Sequence, residues 1–314
     1  MTARLLVLGG TGFVGRAWCE RMARHQPATT LVVPTRHLAR GRALQHLPNV
    51  ELRRADVHDE ATLRGLLAGC DAVVNLVAIL HGSEAAFERA HVELPRRLAA
   101  ACLATGVRRV VHVSALGVAA DAPSRYLRSK ARGEAVLRDS GLALTVLRPS
   151  VIFGAEDRFL NLFAGLQAIA PVVPLAGADA QFQPVWVDDV AAALSAALAR
   201  PDSIGQTIEC AGPQVVTLGA LVRLSGQLSG HPRTIVPLPA ALAWLQAVAM
   251  ECLPGEPLMT RDNLASMRVP NVATGQHPGL AALGITPSPL AAVVPGYLMA
   301  GQRCARLDRW RARH

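Results

Sequence analysis

Apolar residues along the 314-residue chain alternate between two patterns, short unbroken runs and stretches spaced by three and four. The runs are RLLVL (Arg4 to Leu8), ATTLVVPTR (Ala28 to Arg36), VELRRADV (Val50 to Val57), DAVVNLVAI (Asp71 to Ile79), VRRVVHVSA (Val107 to Ala115) and LALTVLRPS (Leu142 to Ser150). Unbroken branched runs of this length predict strands buried on both faces, as in a parallel sheet. Helical spacing occupies FVGRAWCERMARH, FERAHVELPRRLAAACLATG and SRYLRSKARGEAVLRDSG between them. Alternating strand and helix predicts an α/β fold, a Rossmann-like doubly wound parallel sheet with right-handed crossovers. Its ligand site is expected beyond the carboxyl ends of the strands, where the strand order reverses.

Past Arg148 the pattern loosens. VWVDDVAAALSAALAR reads as one more strand-to-helix unit, with Asp188 and Asp189 as N-terminal caps. LPAALAWLQAVAMECLPG reads as an apolar helix closed by Pro and Gly. The expected division is a nucleotide-binding domain over 1–150 and a smaller mixed C-terminal substrate lobe over 151–314, with 182–200 returning to the first domain. Two uncharged stretches, Phe159 to Ala178 and Leu280 to Gly301, are broken by prolines, so neither is read as a membrane span.

Composition adds three points. Half the residues are hydrophobic and few are aromatic, so the core must be built from Ala, Leu and Val. The net charge of +9 comes almost wholly from arginine, because Lys130 is the only lysine. No zinc spacing and no basic-aromatic interleaving accompanies that charge, which argues against nucleic acid and against a resident metal. The six cysteines are scattered without a C-x-x-C, as buried thiols in a reducing compartment are. The first strand starts at once, so no signal peptide is expected and the cytoplasm is the predicted location.

The candidate chemistry starts at the first turn. Gly10, Gly12 and Gly15 form G-x-G-x-x-G between a strand and a helix, with Gly9 as an extra glycine. The first glycine permits a tight turn, the second lets backbone approach a pyrophosphate, and the third lets the helix pack close. The helix N-terminus favours the anion. Thr11, Phe13 and Val14 complete this cradle. At the end of the second strand an NAD-binding chain usually has an acid on the ribose hydroxyl. Here Arg36 stands in its place, which favours a 2′-phosphate and so NADP(H) over NAD(H). Asp56, followed by Val57, reads equally as an acceptor for the adenine amino group or as a helix cap. Asn75, Leu76, Val77 and Ala78 end the fourth strand, where small and apolar residues let the nucleotide ribose lie against backbone.

Ser114 ends the fifth strand, and Tyr126 and Lys130 stand one helical turn apart on the next helix. A free phenol titrates near pH 10, so Tyr126 needs the ammonium of Lys130 nearby to work as a neutral-pH acid or base. Ser114 would then hold a carbonyl or alcohol oxygen while hydride moves at the nicotinamide.

These motifs, with RPSVIFG and VWVDDVA, resemble the extended and atypical short-chain dehydrogenase/reductase superfamily over most of the chain. PSRYLRSKARGEAVLRDSGL, RPSVIFGAEDRFLNLFA and QPVWVDDVA further resemble the NADPH-binding accessory subunits of respiratory complex I and their bacterial relatives. By that resemblance Gly9, Gly12 and Gly15 hold the pyrophosphate, Arg36 takes the 2′-phosphate and Asp56 approaches the adenine. Tyr126 and Lys130 flank the nicotinamide ribose, and Pro149 and Val151 pass the carboxamide. Two departures stand out. His91 replaces an asparagine common in active extended members, and Trp186 replaces a histidine. His91 reads either as support for a proton-relay water or, more simply, as a packed core residue.

Two functions follow. One is an NADP(H)-dependent oxidoreductase using Ser114, Tyr126 and Lys130 on an apolar quinone or lipid-like ligand, with Phe159 to Gly177 as one wall of its cleft. The other is a nucleotide-bound accessory subunit or assembly factor of a respiratory complex, peripheral on the inner face of the membrane. The basic segment after Gly301, with Arg306, Arg309, Trp310 and Arg311, is the expected salt-sensitive attachment. A redox-sensing NADPH binder is a third class, and the intact Ser-Tyr-Lys set argues against it.

Overall fold

Every one of the six apolar runs forms a strand of one parallel sheet in the computed structural model, which describes residues 3–252, 255 and 257–299. They are β1 (Arg4–Leu8), β2 (Thr30–Thr35), β3 (Val50–Arg54), β4 (Ala72–Asn75), β5 (Arg109–Val113) and β6 (Ala143–Pro149). A seventh strand, Thr207–Cys210, pairs in parallel with β6. The order across the sheet is seventh strand, β6, β5, β4, β1, β2, β3. The order reverses between β1 and β4, whose register sets Leu5 beside Ala72 and Leu8 beside Asn75.

Period-two alternation sorts the side chains into two layers. Leu6, Leu8, Val32, Val73, Val110 and Val146 pack in one buried cluster with leucines of the helices α2 (Glu60–Leu67), α4 (Leu94–Thr105) and α5 (Arg125–Arg138). The alternate residues Val7, Val33, Val74, Val111 and Leu147 are equally buried. Helix α1 (Phe13–His25) pairs with the helix Val187–Ala199. There Trp18 is fully buried, and its indole N–H donates to Ser195 Oγ at 3.0 Å, which removes the cost of an unpaired buried donor.

The stretch expected as one long helix from Phe87 is three pieces. Helix α3 (Glu84–Glu88) starts on a Ser83 cap, a π-helical turn spans Arg89–Glu93, and α4 follows, ending at Gly106 with φ +79°. Pro95 explains the break. It has no N–H to give the carbonyl of His91, four residues earlier, so the ladder shifts and Leu94 donates to Arg89 instead. The same carbonyl faces α5, where a Cβ added at Gly133 would sit 1.9 Å from it. Only glycine lets α5 come that close.

The chain divides into two compact units. The first holds residues up to Pro149, then Val187–Cys210 and Ala273–Thr286. Residues 182–186, expected to return to the sheet, fall with the second unit, and the return begins at Val187. Glu209 of the seventh strand fixes the Ala273–Thr286 segment, accepting from the Thr274 hydroxyl at 2.7 Å and the Thr274 N–H at 2.8 Å. Asp188 and Asp189 lie inside the first turn of their helix rather than at its cap, where they meet the positive end of its dipole.

The second unit comprises Ser150–Trp186, Ala211–Val272 and the described residues from Pro287 on. Its helix Leu160–Ile169 packs on the helix Leu218–Ser229, and the strands Val172–Leu175 and Thr234–Pro237 pair in parallel. The segment from Phe159 expected to wall a cleft is largely spent on this unit's own core, with Leu160, Phe163, Ala164, Val173 and Leu175 buried. Cys19, Cys70, Cys102 and Cys210 are buried free thiols, and Cys252 is exposed. Among the described residues no helix is long and apolar enough to cross a membrane, and no cluster could hold a metal ion. Cys304 and the basic segment after Gly301 lie outside the described residues.

Candidate functional site

The turn between β1 and α1 is glycine for four different reasons. Gly9 adopts φ +80°, and its N-terminal neighbours run into β1 while the backbone of Leu76 and Val77 lies 3.0–3.1 Å from where a Cβ would be. The left-handed residue of the turn is therefore the extra glycine, not Gly10 as its place in the motif predicts. Gly10 is small because Val33 of β2 leaves 2.8 Å for a Cβ. Gly15 is small because a Cβ there would lie 2.4 Å from the Gly9 carbonyl oxygen and 2.5 Å from Gly10 Cα. Gly12 differs. Its backbone, φ −80° and ψ 177°, suits any residue, and an added Cβ would meet only the Gly9 oxygen at 3.2 Å. The protein leaves that space open at the N-terminus of α1. No side chain caps that terminus and no acid lies in its first turn. Backbone N–H groups and the helix dipole there fit a pyrophosphate, with Thr11, Phe13 and Val14 beside it.

The adjoining edges carry polar groups. Arg36 is exposed directly after β2, with Arg40 and Arg42 exposed beyond it. Asp56 follows β3 and accepts from the His58 N–H at 3.0 Å. It does not cap the next helix. Asp59 does, accepting from the Thr62 N–H at 2.7 Å, because α2 starts at Glu60, too far on for Asp56 to reach. Arg89, from the π turn, stands 4.0 Å from Asp56. Burial, then the positive field of Arg89, pushes the His58 imidazole below its ordinary value. At the end of β4, Asn75 is buried and holds the chain's exit, its Oδ1 accepting from the Val77 N–H at 3.2 Å. Its Nδ2 lies 3.2 Å from His112 Nδ1. Leu76 and Val77 are partly buried and Ala78 is exposed, while Val57 and Val77 back onto the main core.

At the ends of β5 and β6 the backbone and the Lys130 ammonium are already engaged. Ser114 donates its N–H to the Leu147 carbonyl at 2.7 Å, and Leu116 donates to the Pro149 carbonyl at 3.0 Å. Lys130 is buried, and its Nζ donates to the Val113 carbonyl at 2.7 Å. Burial pulls its ammonium down to about 8, partly offset by Glu134. Tyr126 packs edge-on against His91 and Phe87, at ring-centroid distances of 5.6 and 6.3 Å. Burial pushes its phenol up to about 12. The expected help from Lys130 is therefore not what sets the phenol. The dominant influence is loss of water, which works in the opposite direction. Ser114 Oγ, by contrast, is buried and has no hydrogen-bond partner among the described residues. Val151 belongs to the second unit, where its N–H donates to Asn271 Oδ1 at 2.8 Å.

His91 is a packed core histidine with both ring nitrogens used. Ile79 N–H donates to its Nε2 at 3.1 Å, so that nitrogen carries no proton. Nδ1 lies 2.8 Å from Ser129 Oγ, whose own proton goes to the Tyr126 carbonyl at 2.8 Å. Ser129 must therefore accept from Nδ1–H, which assigns the neutral Nδ1–H tautomer. Burial, then the charge of Lys130, holds the imidazole down to about 3. This chain ties the exit of β4 to α5. Sequence reading singled out His91 but not Ser129 or Ile79. The i, i+4 pair of Pro95 and His91 is the signal that could have marked the π turn.

The first unit thus brings together the glycine turn, the exit of β4, and Ser114, Lys130 and Pro149 at the strand ends, around the point where the strand order reverses. An open cradle at Gly12 and an orphaned hydroxyl at Ser114 fit a dinucleotide laid across those ends.

Comparison with known proteins agrees. The chain is 33% identical over 297 residues to "NADH dehydrogenase [ubiquinone] 1 alpha subcomplex subunit 9, mitochondrial" of Mus musculus, covering 90% of this chain and 76% of that protein. It is 31% identical over 230 residues to a (4-alkanoyl-5-oxo-2,5-dihydrofuran-3-yl)methyl phosphate reductase of Streptomyces griseus, covering 73% and 74%. Its fold matches the NADPH complex of the quinone oxidoreductase QOR2 of Escherichia coli with TM-score 0.74 at 22% identity, over 94% of this chain and 99% of that one. The model of the NAD dependent epimerase/dehydratase family matches residues 5–211, the span that carries the glycine turn, Ser114, Tyr126 and Lys130. The chain therefore belongs to the NAD dependent epimerase/dehydratase family and has the nicotinamide-dinucleotide site of its fold.

Proposed function

We propose that this protein holds NADP(H) across the ends of β1, β4 and β5, and serves as a nucleotide-holding accessory subunit of a respiratory membrane complex, on its inner face. The observation that carries the reading is the state of the tyrosine–lysine pair. The Lys130 ammonium gives one of its three N–H groups to the Val113 carbonyl, and the Tyr126 ring packs against His91 and Phe87 with its phenol raised rather than lowered. Such a pair braces a bound nucleotide more readily than it cycles a proton at neutral pH. Similarity to the mouse subunit over 90% of this chain supports the same reading. The NADP(H) preference rests on Arg36, since no acid stands at the end of β2. A charged hydrogen bond is worth about 1.5–3 kcal/mol, so Arg36→Asp should move the NADPH-to-NADH affinity ratio by at least tenfold.

The second reading is an NADP(H)-dependent oxidoreductase, and Ser114 favours it. A buried hydroxyl without a partner is costly, and a substrate oxygen would satisfy it. In this reading the substrate class is an apolar quinone or lipid-like molecule rather than a sugar nucleotide. Tyr126→Phe separates the two. As a held cofactor, respiratory function in cells carrying the variant stays normal while loss of nucleotide binding abolishes it. As an enzyme, Tyr126→Phe lowers turnover by roughly 10²–10⁴ with nucleotide binding kept, and the accessory-subunit reading is then withdrawn.

A further inference from the structure

The helix Ala240–Glu251 of the second unit buries only Ala243 and Ala247, one turn apart. Its other side exposes Ala240, Ala241, Leu242, Trp244, Leu245 and Ala249. Leu242, Trp244 and Leu245 are 53%, 53% and 57% exposed. Gln246, the helix's one amide, is turned to the protein and donates through Nε2 to the Pro174 carbonyl at 3.3 Å. The single ionisable residue, Glu251, sits at the last position and pairs with Arg261 at 2.8 Å. On the strand pair that Gln246 touches, Val172 and Val236 are also exposed. A helix apolar all round is ordinarily buried, and a contiguous exposed apolar face marks an interaction site.

We propose that this face lies on the surface of an anionic lipid bilayer, with Trp244 at headgroup level and Leu242 and Leu245 at the acyl boundary. Three observations choose lipid over a protein partner. Apart from the Trp244 indole, the face offers no hydrogen-bonding side chain, whereas a protein interface carries about one hydrogen bond per 100–200 Å². A half-exposed tryptophan beside leucines is the composition of a membrane interface. The chain's +9 charge draws the protein as a whole to an anionic surface, the second unit through Met299 being itself close to neutral. Attachment is by lying on the bilayer, because no described helix can cross it. The proposal is independent of the nucleotide site, which lies in the other unit.

The test is flotation of the full chain with phosphatidylglycerol vesicles, against phosphatidylcholine vesicles. The protein should float with the anionic vesicles, and Leu242→Glu with Leu245→Glu should cut the bound fraction at least tenfold. Both positions are exposed, so melting temperature and NADPH affinity should not move. Fluorescence of Trp244, taken as the difference between the parent and Trp244→Phe, should be quenched by brominated lipid, which keeps the test valid if the double variant folds poorly. Three results overturn the proposal. One is flotation of the folded double variant equal to the parent, with or without loss in a variant lacking Arg306, Arg309 and Arg311, which assigns binding to the basic C-terminal segment. Another is no quenching. The last is a parent that stays off vesicles but dimerises with concentration, with the dimer lost in the double variant, which assigns the face to a second copy.

Discussion

The two ends of the candidate nucleotide site are built by opposite means. At the phosphate end, β1 and α1 meet through backbone alone, and every glycine but one is small because the protein itself crowds it. Gly12 is small with nothing but one carbonyl near it, so its space serves something other than packing. At the ends of β5 and β6, the proposed nicotinamide end, Lys130, His91 and Tyr126 have protein partners or close ring packing. Lys130 holds a carbonyl, His91 uses both nitrogens, and Tyr126 lies against two rings. Ser114 Oγ, by contrast, has no hydrogen-bond partner among the described residues. A crowded turn with one open position fits an anion. A ring of satisfied side chains with one open hydroxyl is made to be rigid, and its charges are regulated by burial.

The sharpest way to break this contrast is at Gly15. Its Cβ would lie 2.4–2.7 Å from backbone atoms of Gly9 and Gly10, which cannot swing aside as a side chain could. Gly15→Ala should cost more than about 3 kcal/mol, the upper range for overpacking, and yield little folded protein. A soluble, fully cooperative variant in urea unfolding would show that the turn is looser than described.

The nicotinamide end should reveal itself through pH. His91 is held neutral, at about 3 against an ordinary 6.5. As pH falls below 6.5 the unfolded chain binds a proton that the native one refuses, so stability falls, by about 3 kcal/mol by pH 4. His91→Asn should flatten that slope by close to one proton between pH 6.5 and 4 in urea titrations. An unchanged slope would mean the histidine is not held neutral.

Lys130 gives the opposite window. Its folded value, about 8, lies below the ordinary 10.5, so between these the unfolded chain holds the extra proton and stability rises with pH. Lys130→Met should be favoured relative to the parent at pH 7 and lose that advantage by about 2–3 kcal/mol at pH 10. A constant difference across pH would place the ammonium in water.

The smallest effect is expected at Ser114. Removing a buried hydroxyl that has no partner should leave the ligand-free protein as stable as before or firmer by up to about 1 kcal/mol, by calorimetry. A clear loss would show that Oγ has a structural partner.

Legibility in the sequence follows the same division. Six strands could be read because buried parallel strands are unbroken apolar runs, a purely local signal. The glycine turn could be read for the same reason, although Gly9 rather than Gly10 takes the left-handed turn because of where Leu76 and Val77 lie. What depends on distant partners could not be read. Nothing near Lys130 in sequence says that its ammonium ends on Val113, seventeen residues back, and nothing near Glu209 announces Thr274. Whether Asp56 caps α2 could not be decided locally, because Asp56 and Asp59 satisfy the same rule and Asp59 is the cap. The apolar helix Ala240–Glu251 was visible as a helix, but its exposed face was not, since apolar composition ordinarily means burial.

The central claim, a dinucleotide on the open turn, is tested most directly by titrating NADPH into the parent and into Gly12→Ala by calorimetry, with melting temperature recorded for both without ligand. The account predicts that Gly12→Ala folds and melts like the parent, since its backbone suits alanine and only one carbonyl must give way. It also predicts binding at least about 100-fold weaker, because a methyl group there blocks the approach of backbone to the pyrophosphate. Equal affinity in a variant that melts like the parent would contradict it.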